Sequence, residues 1–145
     1  MKNVVLNQMI EEVSEWKRDI DFLFVELSKK MNRLLEPLKK TSHSFILEKI
    51  EHYQQLIINQ NAKFNKMRRC LEEHEFRLKF INVQQEDLNV LILQHQSYRN
   101  EWEKGHLVYL ELTTKFNGFF VDQLNSIVSF SNEGINSAFP QVSYR

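Results

Sequence analysis

The amino-acid sequence predicts an all-α fold, an antiparallel three-helix bundle of long amphipathic helices, and three observations carry that expectation. Apolar residues recur at alternating spacings of three and four over most of the chain, the period of one helix face. Between Pro37 and Gly105 there is neither proline nor glycine, a continuity that sheets and loop-rich folds rarely tolerate. The chain has 145 residues, enough for one core and too few for two folds of ordinary size.

In the first segment Leu6, Val13, Ile20, Leu27 and Leu34 recur every seven residues, with Met9, Trp16 and Leu23 between them. This is an a/d seam, and Ile10, Phe24, Met31 and Leu38 widen it on one side, as suits a helix touching two neighbours. Pro37 biases Glu36 away from helical geometry, and Thr41, Ser42 and Ser44 offer capping oxygens. The first helix is therefore expected over about 3–36, with a turn near 37–43.

From there Ile46, Ile50, Tyr53, Ile57, Gln60, Phe64, Met67, Leu71, His74, Leu78 and Ile81 keep the alternation without a slip. A second helix over about 43–81 follows, with two polar residues, Gln60 and His74, in its seam. Asn82 with Gln85 three residues on reads as a capping box, and Asp87 is an alternative cap. The third helix, about 85–130, would carry Leu88, Ile92, His95, Trp102, Tyr109, Phe116, Phe120 and Ile127 inward. A true turn at Gly105 would make four helices instead of three, and Gly118 is a second point where this helix would kink. Residues 131–145 lose the period and read as an irregular tail outside a single bundle over 1–130. Short connections make consecutive helices antiparallel neighbours, each a rod of roughly 50–65 Å at 1.5 Å per residue.

Charge and composition exclude several function classes. Lys plus Arg and Asp plus Glu both total 19, so the formal net charge is zero. The densest basic run, Lys63 to Lys79, is interleaved with Glu72, Glu73 and Glu75, which disfavours nucleic-acid binding, since phosphate neutralisation needs a clustered positive surface. The longest aliphatic or aromatic runs are four residues, far short of the about 20 of a membrane span. Cys70 stands alone, so neither an intrachain disulfide nor a thiolate zinc site can form, and a reducing compartment, the cytoplasm, is expected. The three glycines are too dispersed for a phosphate-cradling loop. No nucleophile, base and orienting group can be assembled from these spacings, so neither an enzyme nor a cofactor is expected.

Two constellations remain. If the second turn centres near residue 83, His74 and His95 share a layer on facing helices, and the start of the first helix brings Glu11 and Glu12 to the same end. Two imidazoles and a carboxylate, taken as His74, His95 and Glu11, suit a divalent transition metal; the plainer alternative is a pair of hydrogen-bonded polar residues that set register. The aromatic residues are the second constellation. Eleven phenylalanines exceed what three thin seams need, and Phe22, Phe45, Phe76, Phe80 and Phe119 are read as off-seam and available to a partner.

Trp16 to Phe22 on the first helix, Glu51-His52-Tyr53-Gln54 on the second, and His95 to Arg99, Tyr109 to Leu112 and Lys115-Phe116-Asn117 on the third resemble an uncharacterised family of short all-helical bacterial proteins. The resemblance would span roughly 10–125 and implies a helical bundle without implying an activity. It departs at Gln94, where such proteins carry an acidic residue before the histidine, which weakens the metal reading. The expectation is a non-enzymatic interaction or scaffolding module that pairs with a protein partner or with itself, the alternative being a metal- or small-ligand-binding bundle.

Overall fold

The computed structural model describes residues 3–81 and 88–133, with side chains for 4–81 and 88–122. Among the described residues there are three helices and no strand: α1 (Asn3–Lys40), α2 (Ser44–Lys79) and α3 (Leu88–Glu133).

The first helix runs past its expected end and through Pro37. A proline forfeits one helical N–H, but the Pro37 ring is buried, seven residues after the buried Lys30 in the seam series. The Thr41 N–H then closes the last turn on the Pro37 carbonyl at 3.1 Å. Helix α2 starts from an extended His43 whose side chain makes no cap hydrogen bond, while Leu47 N–H reaches the His43 carbonyl at 3.0 Å. Of the expected capping hydroxyls, Thr41 is used within the turn itself, accepting the His43 N–H at 3.0 Å. The expected caps Asn82, Gln85 and Asp87 lie outside the described residues. Helix α3 continues through Gly105 and Gly118, so the chain does not take the four-helix alternative, and residues 131–133 of the expected tail belong to α3. The rest of that tail, 134–145, lies outside the described residues.

Burial follows the heptads of α1 and α2: Val13, Ile20, Leu27 and Leu34 on the first, Ile50, Ile57, Leu71 and Leu78 on the second. Each such side chain contributes roughly 1.5–3 kcal/mol by leaving water. On α3 the buried set differs in part from the expected one. Trp102, Tyr109 and Phe116 are interior, but Leu91 replaces the half-buried Ile92, and Leu112 and Phe119 join the core. Leu91, Leu112 and Phe119 belong to a second seven-residue series that also includes Tyr98 and Gly105. The side chain of Ile127 is outside the described set.

Contacts between helices tie distant parts of the chain. Lys17 pairs with Glu75 at 2.6 Å and Asp21 with Arg68 at 2.7 Å, joining α1 to α2. Tyr53 donates its hydroxyl hydrogen to the Lys115 carbonyl at 3.1 Å and packs edge-on to Phe116, joining α2 to α3. Lys30 donates to the Tyr109 hydroxyl at 3.0 Å, and the Arg33 guanidinium lies 4.3 Å from the Phe120 ring centroid, joining α1 to α3. Among the described residues, no helix is long and apolar enough to cross a membrane.

Candidate functional site

All three helices meet at a polar layer inside the apolar seam. His74 is 1% exposed and His95 is 2% exposed, each one step of the seam pattern away from an aliphatic neighbour. Their facing nitrogens, His74 Nε2 and His95 Nδ1, are 3.0 Å apart. The other nitrogen of His95, Nε2, lies 2.7 Å from Glu12 Oε1. That same carboxylate oxygen accepts from Arg99 Nη2 at 2.6 Å. Trp16 stacks on the His95 ring at 5.0 Å, and Tyr98 packs edge-on to His74 at 4.9 Å.

The proton positions follow from the hydrogen-bond network. Burial alone would raise the Glu12 carboxyl, but hydrogen bonds from His95 and Arg99 and the Arg99 charge outweigh it and hold it below the ordinary carboxylate value. Ionised Glu12 only accepts, so His95 carries its proton on Nε2. If His74 donates from Nε2 to His95 Nδ1, the one atom without a partner is an acceptor, His74 Nδ1. The reverse orientation would strand an N–H donor at that buried atom, the costlier defect. The chain therefore runs His74 to His95 to Glu12, each donating to the next. Burial, with repulsion from His95 and Arg77, pushes His74 down to about 4, so it is neutral at neutral pH.

The structure thus brings His74 and His95 together and corrects the carboxylate. Glu11 is exposed, and the neighbouring Glu12, one helical step round α1, makes the contact. The donors are also strung in a line. Glu12 and His74 occupy opposite nitrogens of the His95 ring, so the three groups do not converge on one point as metal ligands must. Among the described residues no group of three or more His, Cys, Asp or Glu side chains is placed to hold a metal ion.

Sequence reasoning missed the neighbours that complete this layer. Glu75 is 9% exposed and accepts from Lys17 and, at 3.2 Å, from Ser14; burial raises its carboxyl, but the Lys17 and Lys79 contacts bring it below the ordinary value. Arg77 donates to Gln94 at 2.6 Å and so clasps α2 to α3 beside the histidines. Lys30 was also missed, although its place in the Met9, Trp16, Leu23 series was the available signal: it is 7% exposed, over the ring of Tyr109.

Of the expected interface residues, Phe22, Phe45, Phe76 and Phe80 are well exposed, while Phe119 is buried against Tyr53, ring centroids 5.1 Å apart. Phe119 was misread as off-seam because it belongs to the second seven-residue series of α3. Phe76 and Phe80 pack on each other at the end of α2, with ring centroids 4.7 Å apart. Compared with protein-family models, curated proteins and solved structures, the chain matches none of them.

Proposed function

We propose that this chain is a non-enzymatic protein-interaction module of the cytoplasm, an antiparallel three-helix bundle with coiled-coil-like seams that docks a helix of a second protein chain, a second copy of itself being the first partner to test. The antiparallel arrangement is supported by the order of the pairs. As the α1 partner rises from Lys17 to Asp21, the α2 partner falls from Glu75 to Arg68; from His74–His95 to Tyr53–Phe116, α2 falls while α3 rises. The lone Cys70 suits a reducing compartment.

The observation that carries the docking role is the Phe76 and Phe80 pair. Both rings stand in water, 63% and 68% exposed. Covering what remains of each ring is worth roughly 2–4 kcal/mol, at about 25 cal/mol per Å² of a phenylalanine's 150–250 Å². The buried histidine layer serves this role by holding the helices in one register, so that the aromatic pair is presented on a fixed surface.

The test is sedimentation velocity across a hundredfold range of concentration, paired with affinity capture on wild type and on Phe76→Ser/Phe80→Ser. Wild type should associate, or capture a partner, through these rings, and the double variant should lose both. A wild type that stays monomeric throughout and captures the same set of proteins as the variant overturns the proposal.

A further inference from the structure

The seam of α3 has a gap at Gly105, which falls in the series Leu91, Tyr98, Gly105, Leu112, Phe119 where every other member has a large side chain. Across from it on α2 is Phe64, 3% exposed, whose ring would lie 3.5 Å from a Cβ at residue 105. Gly105 and Phe64 both line a groove of about 510 Å³ between α2 and α3.

Three features of that groove describe its occupant. Its walls are apolar, built from Phe64, Met67, Tyr98 and Val108. Its rim holds Lys63, Lys66 and Lys104 against one acid, Glu101, although the chain as a whole is neutral. Gln60 lines it too, 6% exposed, and its Oε1 is a buried acceptor with no hydrogen-bond partner among the described residues. Such an atom calls for a donor, from water or from a bound molecule. The lining spans residues 60–70 of α2 and 98–108 of α3, about 15 Å of each helix, which is too short a trough for a long docked helix and within the 300–1,000 Å³ of small-molecule sites.

We propose that the groove beside Gly105 binds a small amphipathic anion: an aromatic or aliphatic carboxylate that carries a hydroxyl or amide N–H. The apolar body fills the space over Phe64, the carboxylate meets the lysine rim, and the donor reaches Gln60 Oε1 once that buried side chain turns toward the groove. This site is separate from the Phe76 and Phe80 surface and does not rest on the docking role.

The probe is 6-hydroxy-2-naphthoate, followed by calorimetry in low salt and by the rate at which iodoacetamide alkylates Cys70, a half-buried lining residue and the chain's only cysteine. Saturable one-to-one binding is expected, with alkylation slowed at least threefold and with weaker binding of 2-naphthoate, which lacks the hydroxyl. Gly105→Leu should fill the groove and weaken binding at least tenfold, whereas Gly105→Ala adds only an ordinary contact and should retain it. Lys63→Glu/Lys66→Glu alters two exposed side chains and should weaken binding at least threefold; it decides the matter if Gly105→Leu fails to fold. Phe76→Ser/Phe80→Ser should bind as wild type does. Failure of wild type to bind saturably at millimolar probe, or equal affinity in wild type and the lysine pair variant, overturns the proposal.

Discussion

Acidification should unlock this protein at His74. In the unfolded chain the imidazole takes a proton near its ordinary value of 6.5; in the fold, burial with repulsion from His95 and Arg77 delays that until about 4. Between those values the unfolded state holds more protons, so His74 contributes stability that is fully present above 6.5 and lost as the pH falls toward 4. At about 1.36 kcal/mol per unit the full loss is on the order of 3 kcal/mol, of which roughly 2.5 has gone by pH 4.5. That is a large share of the 5–15 kcal/mol typical of a domain. Urea denaturation followed by helical circular dichroism at pH 7.5 and pH 4.5, on wild type and His74→Leu, isolates the effect. The variant leaves His95 Nδ1 without its donor and should be about 1–2 kcal/mol less stable at pH 7.5. Its further loss on acidification should be smaller than that of wild type by about 2–3 kcal/mol. Glu12, Glu75 and Asp21 are all held below their ordinary values, so their contributions disappear mainly below pH 4.5. Parallel losses in the two proteins would refute the reasoning.

Three further outcomes follow from the helices themselves. Gly105→Ala should stabilise the protein by about 0.5–1 kcal/mol in the same denaturation assay, because a mid-helix glycine is replaced where the new Cβ meets Phe64 at an ordinary 3.5 Å. His43→Asp should add about 1 kcal/mol and raise the melting temperature, since the extended N-cap of α2 now offers no side-chain acceptor and a carboxylate there also suits the helix dipole. Leu27→Ala, at a side chain 1% exposed, should cost about 2–5 kcal/mol by equilibrium unfolding.

Much of the helical content was legible in the sequence. The Leu6 to Leu34 series marks the buried face of α1, and the absence of glycine and proline after Pro37 leaves α2 unbroken. Pro37 itself misled. Local backbone preference argued for a stop, but burial of its ring lets the helix run on to Lys40. On α3 only one of two interleaved seven-residue series was recognised, which misplaced Phe119 at the surface and hid the meaning of Gly105. In the polar layer the counting of residues from the turn paired His74 with His95, yet it could not choose between adjacent carboxylates, because Glu11 and Glu12 differ by one helical step.

The sequence by itself determined most of the buried face of α1 and α2, since the period of apolar side chains is a property of each helix alone. Only the tertiary structure decided what the polar residues in those seams do. Whether Glu12, His95 and His74 gather around a metal or pass a hydrogen bond along a line depends on atoms brought together from α1, α2 and α3, as does the space beside Gly105. Rotation and sliding of one helix against another by an ångström or two change such contacts without altering the apolar period, so no local pattern encodes them.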